Sequence, residues 1–143
     1  MANKDNFNQW TLTLLRAVLG VIFIYHGYLK LFAPKGFEST VGFFTAISMP
    51  FPAYSALLAA VVEFVGGILL LIGLLTRWTA LFLIIEMAVA FFKVHLKQGF
   101  IISPPAYGYE FILLIVASLV VIMLNGAGNL SVGKGYFKSR HLQ

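Results

Sequence analysis

Arg16, His26, Lys30, Glu63, Glu86, Lys93, His95 and Glu110 stand out because each interrupts a long apolar run or sits at the end of one. An ionisable group at the centre of a bilayer costs at least about 2.5–3.5 kcal/mol, so it normally faces a partner or a cavity. Carboxyls and imidazoles move protons, and together with ammonium groups they hydrogen-bond small polar ligands. Phe100, Tyr107 and Tyr109 flank Glu110 in sequence and add aromatic surface to the same set.

The elements that must carry these residues are membrane spans. Of 143 residues, 60% are hydrophobic and 10% charged, whereas a soluble domain carries roughly 25% charged residues. A water-facing surface cannot be built from so few charges. A span needs about 20 apolar residues, and segments at about 10–32, 54–75, 78–96 and 107–124 qualify. The expected fold is all-α: one domain over residues 1–143, an integral membrane four-helix bundle. Between the second and third spans lies only Thr76-Arg77, which makes those two a tight hairpin. In the first loop, Phe37, Val41, Phe44 and Ile47 repeat at helical spacing before Pro50 and Pro52. That pattern predicts a short amphipathic helix lying in the membrane interface. The segment around Pro104-Pro105 reads as a compact turn. The apolar run after Trp10 has no small-residue cleavage site, so it reads as a retained span and not a signal peptide.

Depth follows from the helical rise. Measured from the edge opposite the termini, Lys30 and His95 lie at about 3 Å, Lys93 and Glu110 at about 6 Å, and His26 at about 9 Å. Glu63 comes at about 13 Å, Glu86 at about 16 Å and Arg16 at about 24 Å. On the first span Arg16, Gly20, Phe23, Gly27 and Lys30 share one stripe, with His26 on its flank. On the second, Ala56, Ala59, Ala60, Glu63, Gly66 and Gly67 share a face of small residues, which packs inward and takes Glu63 with it. On the third, Glu86, Lys93 and Lys97 form a stripe, and His95 points the opposite way. His26, Lys30, Glu63, Lys93, His95 and Glu110 are therefore expected to gather in one half of the membrane. Arg16 and Glu86 are expected to form a deeper pair. Structural readings stand beside these: Lys30, Lys93 and Lys97 as interfacial anchors, and Glu63 and Glu110 as partners of Lys30, His26 or Lys93 that hold the bundle together.

The absence of cysteine excludes disulfides, thiolate metal sites and an internal dithiol relay. No metal ligand set is expected. The net charge of +5 sits at the ends of apolar runs, as topology signals do. No basic patch with stacking aromatics exists, so nucleic acid is not an expected partner. Haem ligation by His26 and His95 is disfavoured, since the two lie at different depths and His95 faces away from the Glu86 stripe.

In order along the chain, the residues resemble the DoxX family of small bacterial and archaeal membrane proteins. The likeness runs through Arg16, Gly20, Gly27 and Lys30, then Gly42-Phe43-Phe44 and Pro50. It continues with Glu63-Phe64-Val65-Gly66-Gly67, Gly73-Leu74-Leu75-Thr76-Arg77, His95, Gly99-Phe100 and Tyr109-Glu110. It ends with Gly126-Ala127-Gly128-Asn129-Leu130-Ser131. The chain departs from the family's tail in having Val132-Gly133 after Ser131, without the Asp that is usual there. The resemblance implies a four-helix bundle in the cytoplasmic membrane and an association with respiratory or redox systems.

The expectation is then a component of a quinone-linked oxidoreductase system with a polar pocket in one half of the bilayer. Glu63, His26 and Glu110 are the candidates for proton transfer; Arg16, Lys30, Lys93, His95, Phe100 and Tyr109 are the candidates for binding. A quinone is the cofactor such a set would take. Partners are the lipid bilayer and either other subunits or further copies of the chain. The positive-inside rule favours cytoplasmic termini. Two other functions fit the same residues: a non-catalytic accessory or assembly subunit, and a small proton-coupled transporter.

Overall fold

The computed structural model describes residues 4–133. Four long helices pack side by side: α1 (Lys4–Leu31), α3 (Pro52–Ile72), α4 (Thr76–Lys93) and α5 (Glu110–Asn125). A short helix, α2 (Gly36–Ala46), fills the first loop, and a two-stranded hairpin, β1 (Ile102–Ser103) and β2 (Ala106–Tyr107), precedes α5. Around the bundle, α1 lies against α3, α3 against α4, α4 against α5, and α5 returns to α1.

The helix ends follow local chemistry. Among the described residues α1 is helical from Lys4, earlier than the apolar span itself, since nothing between Lys4 and Gln9 breaks the backbone ladder. Pro52 occupies the first turn of α3, where a missing N–H costs nothing. Gly73 ends α3 in the left-handed conformation, φ 73°, with its N–H on Leu70 O at 3.1 Å and that of Leu74 on Leu69 O at 2.9 Å. The α3–α4 turn is therefore Gly73-Leu74-Leu75, and Thr76-Arg77 already belong to α4. The third apolar segment stops being α-helical at Lys93, and His95–Gln98 tighten into a 3-10 turn. The fourth starts at Glu110 and not at Tyr107, because Ala106 and Tyr107 pair with Ser103 and Ile102. The Pro104-Pro105 turn is a hairpin tip with a cis peptide bond.

The bundle carries apolar side chains on its outside. Leu14, Val18 and Val21 on α1, Leu58 and Val65 on α3, Phe82 and Ile85 on α4, and Leu114 and Leu124 on α5 are all exposed. Its interior holds Leu19, Phe23, Leu70, Leu83, Ile115 and Leu119, together with buried Arg16, Glu63, Thr76 and Thr79. Lipid is the medium in which an apolar exterior and charged interior are stable. Asn8–Leu31 and Pro52–Ile72 are each long and apolar enough to cross a membrane, whereas α4 has 18 residues and α5 has 16. The protein is an all-α integral membrane protein. α2 buries none of its residues, as a helix lying along an interface would.

Candidate functional site

The contact between α1 and α3 sets the geometry of the polar residues. A Cβ added to Gly20 would stand 2.9 Å from Gly67 O, one on Gly67 would stand 2.5 Å from Ile24 N, and one on Gly27 would stand 2.7 Å from Phe64 Cβ. Only glycine lets the two backbones come this close. The inward face of α3 is Ala56, Ala60, Glu63, Gly66, Gly67 and Leu70, the small-residue face expected from spacing.

One turn beyond Gly27, Lys30 Nζ donates to Glu63 Oε2 in a charge-assisted ion pair. Glu86, from α4, joins them. Its carboxyl lies within hydrogen-bonding reach of Glu63 and within the electrostatic field of both Glu63 and Lys30. Its Oε2 is buried without a hydrogen-bond partner. One ammonium and two carboxyls, from three helices, thus meet inside an apolar bundle. Such a set can hold a proton, pass it on, or bind a ligand that offers a hydrogen bond.

Arg16 does not pair with Glu86. Its guanidinium donates from Nη1 to Leu70 O and, at 2.7 Å, to Leu71 O, and from Nη2 to Leu130 O. The carbonyls in the last turn of α3 sit at the negative end of its dipole, and among backbone donors Leu70 O accepts only the cap N–H of Gly73, so they compete for the cation. Gly73 clears room for the guanidinium, since a Cβ there would stand 2.8 Å from Arg16 Nη1. Ser131 Oγ donates to Gly73 O at 3.0 Å, and Asn129 N–H donates to Thr13 Oγ1 at 3.0 Å. Arg16, the Gly73 turn and the segment after α5 therefore form one structural knot at the end of the bundle away from Lys30.

The remaining candidates form a third group at the hairpin. Glu110 Oε1 accepts from Ile102 N–H at 2.9 Å, and Gln98 Oε1 accepts from Tyr107 N–H at 2.7 Å. His95 Nδ1 lies 2.6 Å from Tyr107 O and must carry its proton there, since a carbonyl only accepts. Tyr109 packs edge-on against Phe100 and Phe91, at ring-centroid distances of 5.4 and 5.3 Å. His26 is exposed beside Tyr25, and Lys93 is exposed at the end of α4. Among the described residues, no hydrogen bond or ion pair joins this group to Lys30, Glu63 or Glu86. The expected single cluster is two, because the loop after α4 folds back on itself and satisfies Glu110 and His95 locally. Among the described residues, no three His, Asp or Glu side chains converge as metal ligands.

Spacing alone did not reveal Glu86 as the third member of the Lys30 cluster. The signal was present in its depth, close to that of Glu63 (about 16 against about 13 Å). Gln98 and Thr13 carried no signal beyond being polar, and Ser131 only its place at the end of the Gly126-to-Ser131 motif.

Comparison with known proteins places the chain. An uncharacterized protein of Haemophilus influenzae is 35% identical over 139 residues, 96% of this chain and 99% of that protein. The Bacillus subtilis protein named "Putative oxidoreductase CatD" is 31% identical over 127 residues, 89% of this chain and 87% of that one. The Escherichia coli "Inner membrane protein YphA" is 26% identical over 126 residues, 86% of this chain and 88% of that one. No solved structure matches at a significant level. The DoxX family model matches residues 11–96, the stretch that contains Arg16, Lys30, Glu63 and Glu86, and the chain belongs to the DoxX family.

Proposed function

We propose that this protein is a component of a membrane redox system and that the Lys30–Glu63–Glu86 cluster is its polar site, with a quinone headgroup as ligand. The observation that carries this reading is the buried Oε2 of Glu86, an unpartnered oxygen beside an ion pair in an apolar bundle. Natural proteins leave few such atoms without a ligand or water. A quinone accepts and releases two electrons and two protons. Here Lys30 would orient its carbonyl and Glu63 would carry a proton, while a partner subunit would supply the electrons. The name of the Bacillus subtilis relative supports a redox role.

On this reading the chain lies in the cytoplasmic membrane of a bacterium or archaeon, in line with the name of the Escherichia coli relative, and crosses it four times with its termini inside. His26, Lys93, Phe100, Tyr109, His95 and Glu110 would act around the headgroup and its entry path, not in contact with Glu63. The test is binding of a short-tailed benzoquinone to the protein in lipid nanodiscs, followed by tryptophan fluorescence. Saturable binding that weakens in Glu63→Gln is the expected result. Absence of binding, with no effect of Glu63→Gln in cells, would overturn it.

A second reading, an accessory subunit without chemistry of its own, is favoured by α2. That helix buries nothing and exposes Phe43, a surface for a partner subunit. Co-purification of a stable partner, with the complex active after Glu63→Gln, would decide for it.

A further inference from the structure

The charges around Glu86 do not balance. With Lys30 protonated and both carboxyls ionised, the cluster carries one surplus negative charge inside the bundle. Among the described residues, no other group on the packed elements compensates it. On α1, Arg16 is bound to three carbonyls at the far end, and His26 is exposed. On α4, Arg77 stands at the opposite end of the helix, about 13 Å along its axis from Glu86, and Lys93 is exposed; in the following turn His95 holds a backbone oxygen and Lys97 is exposed, and at the start of α5 Glu110 holds a backbone N–H. On α2, Glu38 is exposed, as is Lys35 just before it. A surplus charge in a membrane interior is costly, and two carboxylates within hydrogen-bonding reach repel unless a proton lies between them.

We propose that Glu63 and Glu86 bind one exchangeable proton between them and that Lys30 is the group through which it meets water. This rests on reading the cluster as the proton-handling site, but not on the identity of any ligand. The Lys30 side chain keeps 25% of its surface and that of Glu63 keeps 6%; Glu86 is half-buried, with its Oε2 wholly covered. Inward transfer breaks an N–H bond of Lys30 and forms an O–H bond on Glu63, while the lysine regains a proton from water. The second step breaks that O–H bond and forms one on Glu86, restoring the Glu63 carboxylate to its ion pair.

Infrared spectroscopy of the protein in lipid vesicles at neutral pH tests this directly. The C=O stretch of a protonated carboxylic acid is expected in the wild-type protein and should shift on exchange into D2O. Either Glu63→Gln or Glu86→Gln should abolish the band, since the remaining carboxylate and Lys30 then balance. Lys30→Met should strengthen the band towards twice its wild-type intensity and slow its exchange, with far-UV circular dichroism checking that each variant is folded. Absence of the band in the wild-type protein, which needs no variant, would overturn the proposal. So would its persistence in both glutamine variants. A band that appears only when sodium is replaced by a bulky organic cation would also overturn it, assigning the site to a metal cation. Quinone binding without the band removes this proposal and leaves the redox reading; the band without quinone binding does the reverse.

Discussion

Lys30 and Glu63 form an ion pair across the α1–α3 contact, one helical turn beyond the place where Gly27 meets the backbone of Phe64. The same close approach that brings the backbones together brings the two charges together. The pair is thus a consequence of glycine placement as much as of charge.

Gly27→Ala should weaken the bundle, because the new Cβ would stand 2.7 Å from Phe64 Cβ and against its backbone. Overpacking of this kind costs about 1–3 kcal/mol. A lowered thermal midpoint in detergent is the expected reading, and Gly42→Ala, with nothing within 4 Å of its Cβ, should leave it nearly unchanged.

Lys30→Met should cost about 3 kcal/mol, since the buried Glu63 loses its cation and must take up a proton instead. The double variant Lys30→Met with Glu63→Gln should recover part of that loss, because glutamine needs neither a cation nor a proton taken up from solution. Unfolding by denaturant in nanodiscs, run as a double-mutant cycle, measures the coupling.

Arg16→Lys should behave much like Arg16→Ala, losing about 3 kcal/mol. An ammonium cannot reach Leu70, Leu71 and Leu130 carbonyls from one planar group as the guanidinium does. Faster proteolysis around residues 126–131 in both variants is the check. A lysine variant as resistant as the wild-type protein would show that charge alone holds the knot.

Glu110→Ala should loosen the hairpin only, by about 1 kcal/mol, through loss of the bond from Ile102 N–H. Hydrogen exchange should quicken at Ile102 and remain unchanged in the middle of α3. Glu110→Gln keeps an acceptor oxygen and should exchange much like the wild-type protein.

The sequence alone determined the class of the fold, since an apolar exterior and scarce charge leave lipid as the only compatible solvent. It also determined the inward face of α3, because Ala56, Ala60, Glu63, Gly66 and Gly67 recur at helical spacing and small residues seek close backbone contact. The α2 helix was legible from the spacing of Phe37, Val41 and Phe44. Pairing of the buried charges was not. Depth and angle along a single helix say which groups are inside, but a partner is chosen by competition. Arg16 met the carbonyls at the dipole-negative end of α3, and Glu110 and His95 were taken up by the hairpin beside them. Glu86 was thereby left to Glu63 and Lys30. Only the tertiary structure decided that, because helix crossing points and loop folding, neither of which is written in any one segment, set the distances between charges on different helices.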